Sequence, residues 1–138
     1  MARWLVDGMN VIGARPDGWW RDRDGAMRRL AAELDAFARV TDQPVAVVFD
    51  GRPREIDAER VDVRFAARRG RDAADDDIAA LAAADADPAT LTVVTSDARL
   101  AERVEATGAR VVGAGAFRRT LDAALAQDPG GGGRSSAP

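Results

Sequence analysis

Apolar residues fall into short runs separated by longer stretches of helical spacing. Trp4-Leu5-Val6 is apolar at successive positions and stops at Asp7-Gly8, as a buried strand and turn would. Pro44 to Phe49 repeats the pattern and again stops at an Asp-Gly pair, Asp50 and Gly51. Leu91 to Thr95 is a third such run, ending in Ser96-Asp97, and Arg110 to Val112 is a shorter one. Val61, Val63 and Phe65 alternate with polar residues, which predicts an edge strand. Between these runs, Met27, Leu30, Leu34 and Phe37 recur at helical spacing with Ala31 and Ala38 beside them. That predicts an amphipathic helix from about Asp24 to Val40. Ala74 to Ala84 has helical composition, with aspartates in its first turn, where they suit the helix dipole. Ala98 to Ala106, closed by Gly108, and Ala116 to Ala126 complete the helices. The stretch from Arg15 to Asp24 reads as a loop. Strands that are apolar on both faces and alternate with helices predict an α/β domain, its mostly parallel sheet covered by helices. The pattern places that domain over residues 1–127. Residues 128–138, rich in Gly, Ser and Pro, are expected to be a disordered tail.

Composition narrows the chemistry. The chain has no Cys, His or Tyr, and all 20 of its Lys-plus-Arg residues are Arg. Thiol nucleophiles, Cys-based zinc sites, His-centred acid–base schemes, Schiff bases and the P-loop lysine are therefore excluded. Carboxylates, Arg, Asn, Ser, Thr and backbone groups remain. Gly113-Ala114-Gly115 follows a strand and precedes a helix, but Arg118 occupies the third glycine position of a dinucleotide fingerprint. No apolar run reaches the ~20 residues of a membrane span. The N-terminus lacks a secretory pattern, so a cytoplasmic location is expected. The net charge of -3 rules out a uniformly basic nucleic-acid binder. Yet Arg64, Arg68, Arg69 and Arg71 directly precede Asp75, Asp76 and Asp77, a juxtaposition that suits both a metal-and-phosphate site and a self-compensating solvated loop.

Three predicted strands end on an aspartate: Asp7, Asp50 and Asp97. In open α/β sheets ligands bind beyond the carboxyl ends of the strands, so these residues could converge with Asp75 to Asp77. Two carboxylates about 4 Å apart repel by about 4 kcal/mol at an effective dielectric near 20, and such a cluster needs a cation or retained protons. An oxygen-only donor set points to Mg²⁺ or Mn²⁺. Each residue also has an ordinary structural reading. Asp-Gly is a common turn, Asp75 to Asp77 could cap a helix, and Ser96-Asp97 could cap the helix that follows.

Leu5-Val6-Asp7-Gly8-Met9-Asn10-Val11-Ile12-Gly13 resembles the opening motif of NYN domains, in the YacP-like branch of the PIN-like ribonucleases. Val47-Val48-Phe49-Asp50-Gly51 resembles that family's second strand and Val61-Asp62-Val63-Arg64-Phe65 its third. Ala74-Asp75-Asp76-Asp77-Ile78 resembles its acidic helix start, and Val93-Val94-Thr95-Ser96-Asp97 its fourth strand. These motifs run in family order from about Trp4 to Leu121; Met9 stands where the family has an aromatic residue.

The resemblance implies a three-layer α/β/α PIN-like domain with an acidic Mg²⁺ site. It implies a metal-dependent endoribonuclease acting on single-stranded or ribosome-associated RNA, leaving 5′-phosphate and 3′-hydroxyl ends. Carried over by position, Asp7, Asp75 and Asp97 are the metal-site acids and Asn10 completes the first motif. Asp76 is a further ligand candidate, and Asp50, Ser96 and Thr95 are supporting residues. Of Asp75 to Asp77, Asp75 is favoured to face the metal. Arg15, Arg52, Arg68, Arg69 and Arg71 are candidate phosphate contacts, which would give affinity without sequence information. Trp19 and Trp20 follow the first motif; exposed they would stack on bases, buried they would close the core. A non-catalytic RNA- or ribosome-binding module of the same fold is the main alternative. A phosphohydrolase of small phosphate esters is disfavoured by the missing lysine.

Overall fold

The computed structural model describes residues 2–67, 70 and 73–128. In chain order the elements are β1 (Arg3–Asp7), α1 (Gly8–Gly13), a 3-10 turn at Trp19–Arg21, α2 (Arg23–Thr41), β2 (Val45–Phe49) and β3 (Asp62–Phe65). They continue with α3 (Ala73–Ala84), a second 3-10 turn at Pro88–Thr90, β4 (Leu91–Val94), α4 (Ala98–Glu105), β5 (Arg110–Val112) and α5 (Ala114–Ala126). The strands form one sheet in the order β3-β2-β1-β4-β5, and every pairing is parallel.

The period of two along each strand divides the core into two layers. Val6, Val45, Val47, Phe49 and Val94 pack toward α1, α2 and α5. Leu5, Val48, Leu91 and Val93 pack toward α3 and α4. Helices therefore cover both faces, as a sheet of uniformly apolar strands requires. Phe37 of α2 and Phe117 of α5 meet Trp4 of β1 with ring centroids 5.4–5.5 Å apart, which seals the first layer. Met27, Leu30, Leu34 and Phe37 supply the buried stripe of α2, as their spacing predicts. At the sheet edge β3 buries neither face fully: Asp62 and Arg64 are exposed and pair with each other at 2.9 Å.

Three details differ from the sequence reading. Asp7-Gly8 does not form a simple turn, because Gly8 opens the short helix α1. A Cβ on Gly8 would lie 2.5 Å from Phe49 Cδ1 and 3.0 Å from Val47 Cγ2, so only glycine lets this helix start against β2. The Arg15–Asp24 loop contains the turn at Trp19–Arg21, and α2 already begins at Arg23. Asp128, assigned by its sequence to the tail, is 4% exposed and accepts from Arg39 at 2.8 Å, so packing extends to that residue. Residues 129–138 lie outside the described residues.

Candidate metal centre at the strand switch point

Strand order reverses at β1. Chain progress runs β1-β2-β3 to one side and β4-β5 to the other, so the crevice at the carboxyl ends of β1 and β4 is the topological switch point. Asp7 is the last residue of β1, and Thr95 is the first residue beyond β4. Alternation puts Asp7 on the same face as Leu5, and Thr95 on the same face as Val93, the face covered by α3 and α4. The two side chains meet there: Thr95 Oγ1 donates to Asp7 Oδ2 at 2.9 Å, both residues being buried. Thr95 Oγ1 also accepts from the Asp97 backbone N–H at 3.1 Å. Asn10 of α1 spans the same crevice, its Oδ1 accepting from the Ser96 backbone N–H at 2.7 Å. Ser96 Oγ in turn accepts from the Ala114 N–H at 2.8 Å, at the start of α5. One polar network thus ties the ends of β1 and β4 to three helices.

Asp7 is the electrostatic centre. Its carboxyl is pushed up to about 6, first by burial, and further by the negative charges of Asp75 and Asp50. The Thr95 hydroxyl and the Asn10 backbone N–H oppose that rise without cancelling it. Asp50 follows β2 and accepts from the Ala74 N–H at 3.1 Å, which places it at the entrance of α3 beside Asp75. The three successive aspartates of α3 diverge, as residues about 100° apart around a helix must. Asp75 is the one whose charge bears on Asp7. Asp76 is held by Arg103 of α4 at 3.0 Å, and Asp77 accepts from the Ala67 N–H at 2.8 Å.

Asp97 caps α4: its Oδ1 accepts from the N–H groups of Arg99 and Leu100 at 2.9 and 3.0 Å. The capping reading of this residue is therefore realised, while Oδ2 accepts no hydrogen bond among the described residues. Among the described residues no three acidic side chains already stand in a metal-binding group. The donors gathered around Asp7 are carboxylate, amide and hydroxyl oxygens, the set that suits a hard divalent cation, and a buried carboxylate facing two further negative charges gains from one.

Of the arginines singled out by sequence, Arg15 is turned to Asp122 of α5 at 3.3 Å. Arg52 lines an open groove with Arg23, Asp24, Asp50, Gly51 and Arg54. Arg68, Arg69 and Arg71 lie outside the described residues. The sequence reading missed Gly8 and the pairing of Asn10 with Ser96. The first shows itself only in the close approach of Phe49, and the second joins residues 86 positions apart.

A doubly wound parallel sheet with a buried aspartate at its switch point, within electrostatic reach of two more, is the frame of a PIN-like nuclease domain. The family model for the YacP-like NYN domain matches residues 4–128, and the chain belongs to that family. Among solved structures it is similar to Rae1 (YacP) from Bacillus subtilis, with 27% identity and a TM-score of 0.78 over 92% of this chain and 77% of that one. The W164L mutant of the same protein gives 29% identity and a TM-score of 0.77, over 92% and 79% of the two chains. No curated protein matches the chain. Among the described residues no helix is long and apolar enough to cross a membrane.

Proposed function

We propose that this chain is a divalent-metal-dependent endoribonuclease that hydrolyses phosphodiester bonds in single-stranded RNA, ribosome-associated RNA included. The observation that carries the reading is Asp7: a buried carboxylate at the switch point whose ionisation is opposed by Asp75 and Asp50. Membership of the YacP-like NYN family, whose PIN-like class consists of nucleases, supports the same reading. Asp7 and Asp75 would hold Mg²⁺ or Mn²⁺, with Asp97 contributing its free Oδ2 and Asp50 closing the acidic rim. When bound, the cation supplies Lewis acidity, which acidifies water and offsets charge gathering on the scissile phosphate. Thr95 fixes the rotamer of Asp7, and Asn10 holds the turn that carries Ser96 and Asp97 against it. Asp76, engaged by Arg103, serves to dock α3 on α4.

The test is Mg²⁺ and Mn²⁺ titration with end-labelled single-stranded RNA, comparing wild type with Asp7→Asn and Asp97→Asn. Asn caps a helix as well as Asp does, so Asp97→Asn removes the charge and keeps the cap. Cleavage is expected to fall in both by more than the roughly 10–100-fold typical of outer-shell changes, and to yield 5′-phosphate ends. Cleavage unaffected by both substitutions removes the metal-site proposal. The use of Asp97 as the cap of α4 favours, as a second reading, a module that binds RNA without cutting it. RNA binding retained with no cleavage under either metal would establish that reading.

A further inference from the structure

Trp20 is the one large hydrophobic side chain strongly exposed among the described residues, at 58%. It does not sit on a floppy loop. Gly18 adopts φ +79° and turns the chain into the 3-10 turn, and Asp22 then caps α2 through the Gly25 N–H at 3.0 Å. A Cβ on Gly25 would run into the Asp22 carboxylate, so this cap is as tight as glycine allows. Trp19 is half-buried against the first core layer and meets Trp20 edge to face, with centroids 6.0 Å apart. The exposed indole is thus pre-set on a packed neighbour.

One cation lies over this ring and a second over its neighbour. The Arg21 guanidinium lies 5.8 Å from the Trp20 ring centroid, and that of Arg23 lies 5.9 Å from the Trp19 centroid. Arg23 also lines the groove that contains Arg52, Arg54 and Asp50. Among the described residues Arg21, Arg23 and Arg52 make no ion pair, whereas Arg54 of the same groove is paired with Asp24. Free guanidinium groups beside an open indole fit a ligand that alternates negative charge with flat apolar faces. Single-stranded nucleic acid has that chemistry, whereas a duplex hides its base faces.

Resting on the nuclease reading above, we propose that Trp20 is a base-stacking platform for single-stranded RNA. Arg21, Arg23 and Arg52 guide the strand's phosphates along the groove, past Asp50, toward Asp7. Trp20 acts here in binding and positioning and takes no part in bond cleavage.

The test uses the full chain carrying Asp7→Asn, with a fluorescein-labelled single-stranded RNA of about ten nucleotides and the matching duplex, read by anisotropy. Adding Trp20→Ala is expected to weaken single-strand binding about tenfold or more, as loss of a base–aromatic stack does. Trp20→Phe should restore most of that affinity, and duplex binding should not change. Arg52→Ala should lower the slope of log affinity against log salt by about one. Unchanged single-strand affinity in Trp20→Ala overturns the platform, as does equal weakening toward duplex and single strand. Because Trp20 is exposed, thermal unfolding of Trp20→Ala should match the parent and so exclude misfolding. If the otherwise wild-type chain cleaves in an Asp7-dependent way and Trp20→Ala leaves its KM unchanged, this inference fails and the nuclease reading stands. If no metal gives cleavage while Trp20-dependent binding persists, the nuclease reading fails and the platform stands.

Discussion

Replacing Asp7 by Asn should make the protein more stable near neutral pH while abolishing the proposed activity. The folded state holds the Asp7 proton up to about pH 6, against 3.8 for an ordinary aspartate, and burial is the largest cause. A rise of that size amounts to about 3 kcal/mol against the ionised form, and solvent relaxation around a real carboxylate reduces it to about 1–2 kcal/mol. The sign follows from proton uptake. Between about pH 4 and about 6 the folded chain binds more protons at this site than the unfolded chain does, so stability falls as pH rises through that window. Above it the cost of ionisation is present in full; below about pH 4 it is absent. Asn is neutral throughout, and its Oδ1 can still accept from Thr95. Thermal unfolding without added divalent metal should therefore show Asp7→Asn melting about 3–8 °C above wild type at neutral pH. The gap should close as pH falls to about 4. Millimolar Mg²⁺ should raise the wild-type midpoint and leave the variant's unchanged, because a cation that binds only the folded state stabilises it. A variant less stable than wild type at neutral pH, or a gap that stays constant from pH 4 to 8, would refute the reasoning.

Other substitutions probe the frame that positions the site. Gly8→Ala forces a methyl group into Phe49 and should cost about 1–3 kcal/mol in urea unfolding. Gly13→Ala, whose Cβ would meet nothing within 4 Å, should be neutral or stabilising by up to about 1 kcal/mol, and a loss there would contradict the packing described. Ser96→Ala removes the acceptor for the Ala114 N–H and should cost about 1 kcal/mol, visible as a lowered melting point. Glu33→Ala takes the nearer carboxylate from Arg118, which is only 14% exposed, and leaves it Asp122 at 3.7 Å; a loss of about 1 kcal/mol is expected, and Glu33→Ala combined with Asp122→Ala should lose more than the sum of the two.

The strands were legible because each core strand is apolar at successive positions and stops at a polar group. Val45 to Phe49 and Leu91 to Val94 therefore differ little from their expected bounds. The alternation at Val61, Val63 and Phe65 marked β3 as an edge strand, where it lies. Helix α1 was not legible, because six residues make fewer than two turns, too short for a periodic pattern, and Asp-Gly is a common turn signal. Helical phase could not be settled at Asp75, Asp76 and Asp77 from composition; partners outside the helix, Arg103 of α4 and the Ala67 N–H, hold Asp76 and Asp77. The bond from Thr95 to Asp7 spans 88 positions, and nothing local to either residue announces it. Asp97 could be read both as a cap and as a ligand from sequence, because one carboxylate has an oxygen for each role.

The free edge of the sheet has a consequence for solubility. A parallel edge strand is a template for a second chain, and among the described residues β3 has a strand partner on one side alone. Its outward positions are an acid and a base, Asp62 and Arg64, which satisfy each other within one molecule. Two copies docking edge to edge would have to break those pairs and strip water from four charges. Valine at both positions would leave the core intact and remove that deterrent, so the double variant should self-associate through strand addition more readily than the parent.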